Sequence, residues 1–422
     1  MLVWVTLWVV TRLTVVWLLF GPQSWVTGDV AYFANSLVAA PENGLSATLV
    51  EYPLPGVVLV ALPWLVAQAL GSPESYAAAV AVFALVTDAV FTILLHRFSG
   101  EGRRQAVWVW LLAVPLLGST TFARFDLVPG VLAAIALLLL GSCPRLASAA
   151  AGVATAVKFW PALILPSLAA RRRTRGRVVI TVAALGSVAA GASLALAGWD
   201  RLVSPLTWQQ DRGLHVESVL ATPAALAWAV HPDAHEVYFS AFNAFEIRGP
   251  GVPGLLVASS VLTVLAVLVL ATLWALAWRG GDYLSSDAVG WLALAAVTVY
   301  LVTSKVLSPQ YLLWLLPVVA AALAVARDER SRRRLARWAG LLLVATAATQ
   351  VVFPSGYGGV VEHQPWSIWV VLVLAVRNVL LVWLMVQALA QSWWHVRRDA
   401  HRGRELDLQP PGPDGNEVRT LR

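Results

Sequence analysis

Apolar runs of membrane-spanning length recur along the chain and constrain its fold more than any other feature. A helix needs about 20 apolar residues to cross a bilayer. Runs close to this length lie at 2–20, 77–95, 178–197, 252–278, 338–353 and 366–388. Shorter or interrupted runs lie at 106–118, 127–141, 288–303 and 311–326. Hydrophobic residues make up 59% and charged residues 13% of the 422 positions. The sequence therefore predicts an all-α polytopic membrane protein and excludes a soluble domain.

Lys and Arg are distributed unequally between the connecting segments. With the N-terminus inside, 22 of the 30 lie in segments assigned to the cytoplasm: 96–105, 142–146, 171–177, 279–287, 327–337 and 391–422. Five lie in the external segments 21–76, 119–126, 198–250, 304–310 and 354–365. Acidic residues show no such bias, with 10 inside and 12 outside. The positive-inside rule thus predicts cytoplasmic termini and directs the search for function to the outer face.

Composition excludes several further classes of protein. The isoelectric point near 10 reflects basic residues along the cytoplasmic rim, where anionic lipid lies, and does not indicate nucleic-acid binding. Cys143 is the only cysteine, so no intramolecular disulfide forms, and no Cys/His cluster has metal-ligand spacing. We expect the lipid bilayer as a partner, no nucleic acid and no cofactor, and the sequence leaves a divalent cation open.

Two further apolar stretches have an ambiguous topology. Residues 53–70 open with two prolines, and residues 147–170 are broken by two more. If both crossed the membrane, the loop carrying Arg103 would be outside and Arg124 inside. The charge pattern favours juxtamembrane or re-entrant positions for both stretches.

The chain divides into a transmembrane domain at 1–390 and a basic cytoplasmic tail at 391–422. The end of this tail, from His401 to Arg422, is rich in Pro, Gly and charge, which predicts disorder.

The first external loop carries two acidic candidates. Residues 30–40 have the apolar spacing of an amphipathic helix, which places Asp29 in its first turn at the membrane boundary. Asp29 is either a functional carboxylate or a helix cap. Glu51, beside Tyr52, is either part of the same site or a solvated loop charge.

The second group of candidates lies near the following spans. Arg124 and Asp126 form either a functional pair or a local salt bridge of small energy. Lys158 lies in an apolar stretch, where a mid-bilayer charge costs about 2.5–3.5 kcal/mol. Such a lysine has a partner or lines a wet cavity, unless it snorkels to the surface.

Later external segments add the remaining candidates. They are Arg212 and Glu217 in the long loop 198–250, Lys305, Gln310 and Tyr311 between two spans, and His363, which is either functional or an ordinary loop residue. The chain has no Walker loop, HExxH, dinucleotide fingerprint or Ser-His-Asp signature, so ATP-driven transport, zinc proteolysis and hydride transfer lack support. Carboxylates and cations at the lipid boundary suit a phosphate-bearing lipid substrate.

At these motifs the sequence resembles glycosyltransferase family 87, the polyprenyl-phosphate-mannose-dependent mannosyltransferases. The resemblance covers positions 28–311, about two thirds of the chain, and the order of the motifs carries it. The matching segments are Gly28-Asp29, Glu51-Tyr52-Pro53-Leu54-Pro55, Arg124-Phe125-Asp126-Leu127-Val128-Pro129, Lys158-Phe159-Trp160-Pro161 with Arg171-Arg172-Arg173, Arg212-Gly213 with Glu217-Ser218, and Ser304-Lys305-Val306-Leu307-Ser308-Pro309-Gln310-Tyr311.

The resemblance implies a C-type (GT-C) membrane glycosyltransferase fold, a bundle of about 10–12 transmembrane helices with a large external first loop. It implies inverting transfer of a hexose, here mannose, from a polyprenyl-phosphate donor to a glycolipid or cell-envelope glycan acceptor on the outer face of the cell membrane. A carboxylate in the first external loop is the general base of such enzymes, and Asp29 matches it. We assign substrate binding to Glu51, Tyr52, Arg124, Asp126, Lys158, Arg212, Glu217, Lys305, Gln310, Tyr311 and His363.

Two other classes compete with this interpretation. In a flippase or transporter of lipid-linked sugars, the same charges would line a translocation path. The sequence shows no inverted repeat, and its candidates concentrate at one face. In a structural scaffold, Asp29 and Lys305 would be replaceable.

Overall fold

The computed structural model describes residues 2–100 and 104–408. Helices make up most of this part of the chain. They are α1 (Leu2–Phe20), α2 (Gly28–Val38), α3 (Ala40–Asn43), α4 (Leu54–Ala69), α5 (Tyr76–Ser99), α6 (Gln105–Leu117), α7 (Thr120–Ala123), α8 (Leu127–Leu139), α9 (Pro144–Val157), α10 (Leu165–Leu168), α11 (Arg172–Gln210), α12 (Thr222–Val230), α13 (Val252–Gly280), α14 (Ser286–Thr303), α15 (Leu312–Val325), α16 (Glu329–Gln350), α17 (Tyr357–Val361) and α18 (Ser367–Leu408).

The prediction of an all-α polytopic membrane protein is confirmed. Within the described ranges, seven helices are long and apolar enough to cross a membrane, and four shorter apolar helices accompany them. The long ones are Val3–Phe20, Tyr76–Ser99, Arg172–Gln210, Val252–Tyr283, Ser286–Thr303, Glu329–Ser355 and Ser367–Gly403. The short ones are Leu54–Ala69, Gln105–Leu117, Leu127–Leu139 and Pro309–Val325.

Three of the short helices, α6, α8 and α15, lie mainly in the interior of the bundle. A helix of 13 residues, such as α6 or α8, is roughly 20 Å long, which is less than the roughly 30 Å hydrocarbon core. Such helices are tolerated because other helices, and not lipid, surround them. Almost every residue of α15 is buried, and 89% of the residues of the neighbouring α14 are buried. The segments that lead into α8 and α15 lie at a polar cavity, whose lining includes Arg124 and Tyr311.

The two ambiguous stretches differ, because residues 53–70 form the helix α4 whereas 147–170 is broken into shorter pieces. Tyr76, the first residue of α5, donates a hydrogen bond from its hydroxyl to Val60 in the middle of α4 (3.0 Å), so α4 lies beside the start of α5. The stretch 147–170 is not one helix, because α9 ends at Val157 and Lys158 is extended. A 3-10 helix at Trp160–Ile164 and the short α10 then lead back towards Arg171.

The long loop after residue 197 is partly ordered by hydrogen bonding. The helix α11 breaks at Gly198, whose φ of +81° is outside the helical region, and a further helical segment runs to Gln210. A small antiparallel sheet follows, with β1 (Leu214–His215), β2 (Glu236–Ser240) and β3 (Ala244–Arg248) in the order β1-β3-β2. The apolar-run analysis does not predict this sheet, because its strands are short and lie in a polar loop.

The tail begins within a helix, and its predicted disorder stays a prediction. The helix α18 continues through residues 391–408. Val396 is buried among other helices, and Arg398 pairs with Asp328 at 3.1 Å, so packing and charge pairing accompany the helical state. The predicted tail residues 409–422 lie outside the described residues.

Candidate functional site

A polar cavity of about 250 Å³ lies where the segments assigned to the outer side meet. Its walls come from α2, the turn before α4, the residues around Arg124 and Lys158, the end of α11, the small sheet and the turn before α15. Eight of the twelve predicted site residues line it: Asp29, Glu51, Tyr52, Arg124, Lys158, Arg212, Gln310 and Tyr311. Segments far apart in sequence therefore form one site.

Asp29 forms an ion pair with Arg124. Their closest oxygen and nitrogen are 3.0 Å apart, and the side chains are 41% and 9% exposed, respectively. Arg124 lies in extended backbone between α7 and α8, and it also donates to the carbonyl oxygen of Val26 at 3.2 Å. Asp29 is in the first turn of α2, as predicted, but Thr27 is the N-cap residue and no side chain caps the helix. The carboxylate is therefore held by Arg124 and remains accessible from the cavity.

Glu51 lies next to Asp29's helix and receives a hydrogen bond. The hydroxyl of Tyr32, one turn along α2, donates to the Glu51 carboxylate at 3.3 Å. Burial raises the pKa of Glu51, while its hydrogen bonds and the charge of Lys158 oppose this shift. Burial and the neighbouring Glu51 charge raise the pKa of Tyr32, which keeps its hydroxyl protonated and donating. The alternative of a solvated loop charge does not fit this half-buried, hydrogen-bonded carboxylate.

Lys158 has a partner, as its place in an apolar stretch predicts. Its ammonium donates to both carboxylate oxygens of Asp126, at 2.8 and 2.9 Å. Trp314 donates to the same carboxylate at 2.6 Å, and Asp126 is 2% exposed. Lys158 also lies 5.3 Å from the centre of the Tyr52 ring, a cation-π distance. Asp126 itself does not line the cavity, so its contact with the cavity runs through Lys158.

A close helix contact determines where Lys158 lies. A Cβ atom at Gly56 would come within 2.5 Å of the carbonyl oxygen of Val157. Only glycine permits this approach of α4 to the end of α9. The contact brings Lys158 beside the turn that carries Glu51 and Tyr52.

The cavity lining also includes Arg212, Gln310 and Tyr311. Arg212 lies between the end of α11 and β1, and the ring of Tyr311 stacks on Trp314 with centroids 4.0 Å apart. Lys305 does not line the cavity. Its ammonium donates to the backbone carbonyl oxygens of Gln210 at 2.8 Å and Arg212 at 2.6 Å. Lys305 therefore fixes the backbone that carries Arg212.

Glu217 and His363 also lie away from the cavity. Glu217 is completely buried and pairs with Arg377 of α18, whose guanidinium donates to the Glu217 carboxylate at 3.3 Å and to its carbonyl oxygen at 2.6 Å. Burial raises the pKa of Glu217. A ring nitrogen of His363 lies 3.2 Å from the carbonyl oxygen of Ala229, and its ring contacts Trp228 edge-on. Glu217 thus links the long loop to α18, and His363 contacts α12 of the same loop.

Several lining residues were not predicted as site residues. An aromatic cluster of Trp25, Phe353 and Tyr357 forms part of the wall, with Phe353 and Tyr357 centroids 4.9 Å apart. Trp25 lies soon after the end of α1, where a tryptophan usually acts as an interfacial anchor. His215 lines the cavity as well, and burial followed by the charges of Arg212 and Arg377 lowers its pKa to about 3. Only proximity in space distinguishes these residues from other loop aromatics.

Two guanidinium groups have hydrogen-bonding capacity left at the site. The Nε atoms of Arg124 and Arg212 are buried and have no hydrogen-bond partner among the described residues. Buried donors of this kind are usually satisfied by protein, water or a ligand. Phosphate oxygens are strong acceptors for guanidinium groups. In the described part of the chain, no three His, Cys, Asp or Glu residues lie close enough together to hold a metal ion.

The fold and the cavity define a polytopic membrane protein with two carboxylates and several cations at one end of its bundle. The model of Glycosyltransferase family 87 matches residues 49–304, more than half of the chain. The protein therefore belongs to this family and is a membrane glycosyltransferase. No curated relative matches the sequence. The matched range includes Glu51, Arg124, Lys158 and Arg212, whereas Asp29 precedes it.

Proposed function

We propose that the protein transfers mannose from a polyprenyl-phosphate donor to a hydroxyl of a glycolipid or cell-envelope glycan on the outer face of the membrane, with inversion. The observation that carries this proposal is the pairing of Asp29 with Arg124 in the cavity that Lys158 and Arg212 also line. A base and several cations in one space are what transfer from a phosphate leaving group requires.

Asp29 is the proposed general base. The acceptor hydroxyl oxygen forms a bond to the anomeric carbon as its proton passes to the Asp29 carboxylate. The bond between that carbon and the donor phosphate oxygen breaks on the opposite face, and the electron pair leaves with the phosphate. Attack opposite to the leaving group inverts the anomeric centre. His215 is a poorer base, because its pKa of about 3 makes the imidazole weakly basic.

Arg124 and Arg212 are proposed to bind the donor phosphate. Charge grows on the phosphate oxygens as the glycosidic bond breaks, and preorganised cations in a partly desolvated site stabilise that charge. The unpaired Nε atoms of both arginines supply donors for it. Lys158 adds positive charge but is already bound to Asp126 on both carboxylate oxygens.

Sugar hydroxyls need hydrogen-bonding groups near the reacting carbon. Glu51, Tyr32 and Gln310 line the same cavity and offer acceptors and donors. The prenyl chain would lie between helices, where lipid has free access. The sugar identity, the carrier and the outward orientation rest on the resemblance and on the distribution of Lys and Arg.

The direct test is an assay of the full chain, purified in detergent. Radiolabelled polyprenyl-phosphate-mannose and a membrane-lipid extract are supplied, and labelled glycolipid is measured. We expect labelled glycolipid to form only when the protein is present. Matched reactions contain GDP-mannose or polyprenyl-phosphate-glucose in place of the donor. Transfer from GDP-mannose alone contradicts the lipid carrier, and faster transfer from the glucose donor contradicts mannose.

A further inference from the structure

A second cavity lies at the other end of α11 from Trp208 and the site. It lies between the start of α11, the end of α13 and the second half of α18, and its volume is about 910 Å³. Four arginines line it, together with one carboxylate, that of Asp282. They are Arg172, Arg173, Arg279 and Arg397. The lining thus carries a net charge of plus three, counted from these five side chains.

Little of this positive charge is neutralised by other side chains among the described residues. Arg172 and Arg279 form no hydrogen bond or ion pair through their side chains within residues 2–100 and 104–408. Arg173 and Asp282 are 3.8 Å apart, and their side chains are 67% and 39% exposed. An exposed pair of this kind is weak. The guanidinium groups are therefore available to an anion.

The same cavity also has apolar walls. Leu276, Trp393 and Val396 line it, and the guanidinium of Arg397 lies 5.0 Å from the centre of the Trp393 ring. Only 11% of the residues in the most apolar part of α11 are buried, and the share in α13 is the same. Most of the surface of these two helices is therefore free to face lipid. A molecule with an anionic head and apolar tails would satisfy both parts of the lining. Its tails would extend along α11 and α13.

We propose that this cavity binds the phosphate headgroup of an anionic phospholipid. Guanidinium groups bind phosphate oxygens through paired N–H donors, and basic pockets between transmembrane helices suit such headgroups. Arg172 begins α11 and Arg279 lies in the last turn of α13, which places both at the level where headgroups lie. A small soluble phosphate would bind the arginines but leave the apolar walls uncovered. The bound lipid is distinct from the substrates of the polar cavity, which lies at the other end of α11.

The experiment compares lipids by their effect on thermal stability. The full chain, purified in detergent, is titrated with short-chain phosphatidylglycerol, phosphatidylcholine or inorganic phosphate, and its melting temperature is followed. The test variant is Arg172→Gln/Arg279→Gln, which removes two arginines whose side chains have no partner among the described residues. The matched control is Arg330→Gln/Arg337→Gln, which removes two exposed arginines of α16 outside the cavity.

Phosphatidylglycerol should raise the melting temperature of the wild type and of the control in a saturable way. The test variant should bind it about tenfold more weakly, because charge-assisted hydrogen bonds are lost. Equal stabilisation by phosphatidylcholine overturns the proposal, as does equal stabilisation by inorganic phosphate. Equal affinity in the test and control variants does so as well. If the double variant aggregates on gel filtration, the single variants Arg172→Gln and Arg279→Gln are compared with Arg330→Gln.

Discussion

The ammonium of Lys305 donates a hydrogen bond to the backbone carbonyl oxygen of Arg212 at 2.6 Å. A second bond, to the carbonyl oxygen of Gln210 at 2.8 Å, secures the end of α11. His215 in β1 in turn donates its backbone N–H to the carbonyl oxygen of Lys305 at 3.0 Å. The turn before α15 and the start of the small sheet are therefore joined at Lys305, beside the cavity that Arg212 lines. The ammonium of Lys305, which the sequence assigns to substrate binding, thus contacts the backbone that carries another cation of the site.

Lys305→Met should lower turnover about tenfold or more, because the backbone that carries Arg212 loses two charge-assisted hydrogen bonds. Arg212→Met should lower turnover further, since it removes the proposed phosphate ligand itself. The two variants and their combination form a double-mutant cycle measured at saturating donor. If Lys305 acts through Arg212, the combination is little worse than Arg212→Met alone. Fully additive losses would instead assign Lys305 a contact of its own with the donor.

Asp29→Asn should lower turnover about 10²-fold or more, because the amide keeps the size of the carboxylate but cannot accept the proton. The melting temperature should change little, since Asp29 makes no helix cap, is 41% exposed, and its amide replacement can still accept a hydrogen bond from Arg124. Asp29→Ala is less informative, because it also leaves the almost buried guanidinium of Arg124 without its partner. Glu42→Gln is the matched control, because Glu42 is an exposed carboxylate in the same loop outside the cavity. Near-normal turnover of Asp29→Asn would remove Asp29 as the base.

The sequence predicts the helices of this protein well, because lipid makes apolar length a direct signal. The predicted end of a span at residue 197 coincides with the break in α11 at Gly198. The need for a partner of Lys158 also follows from the cost of a charge in lipid, and Asp126 fills that role. The need of a charged residue for a partner can therefore be predicted from the sequence where burial in lipid has a high free-energy cost.

The roles of the loop cations are less visible, because they depend on which atoms of the loops come together. Arg201 is an external cation like Arg124, yet it donates to the carbonyl oxygens of Leu45, Thr48 and Leu49 and fastens the first loop to α11. Glu217 stands in a motif beside Arg212, yet it pairs with Arg377. No spacing rule distinguishes a cation that binds carbonyl oxygens from one that faces a cavity.

His363 and Arg172 should lie on opposite sides of the membrane, as the distribution of Lys and Arg predicts. Both are exposed, so a cysteine at either position can react. His363→Cys and Arg172→Cys are made separately in a Cys143→Ser background, and intact cells are treated with a membrane-impermeant thiol reagent. Labelling is expected at position 363, and at position 172 only after permeabilisation. Labelling of position 172 in intact cells would show that the predicted orientation in the membrane is wrong. The predicted cytoplasmic residue Arg103 lies outside the described residues.

Glu51 should make the protein less stable as pH rises, because burial raises its pKa in the folded state. A glutamate in the unfolded state has a pKa of about 4.3. Above that pH the unfolded state loses its proton while the folded state still binds one, so the folded state loses stability relative to the unfolded state. The stabilisation from the protonated form is complete below the unfolded pKa and is lost as pH rises through the folded pKa. Glu51→Gln cannot lose a proton and should remove this decline.

Melting temperatures between pH 4 and pH 8 measure the effect of Glu51. The difference between Glu51→Gln and wild type should grow in favour of the variant as pH rises. Glu74→Gln is the control, since Glu74 is an exposed carboxylate outside the cavity. Parallel pH profiles of wild type and Glu51→Gln would show that the carboxylate is not destabilised by burial.

Asp88→Ala should destabilise the bundle by about 3–5 kcal/mol, because it leaves the charge of Arg12 unpaired in the interior. In the structure, the guanidinium of Arg12 makes two bonds of 2.9 Å to the Asp88 carboxylate, and Trp110 donates to it at 2.7 Å. Both charged side chains are almost completely buried, at 2% and 0% exposure. The double variant Arg12→Met/Asp88→Leu removes both charges and should recover most of the lost stability, since buried ion pairs are often replaceable by apolar residues of similar volume. Unfolding titrations in mixed detergent micelles measure both variants. A double variant as unstable as Asp88→Ala would mean that the hydrogen bond from Trp110, and not the unpaired charge, accounts for the loss.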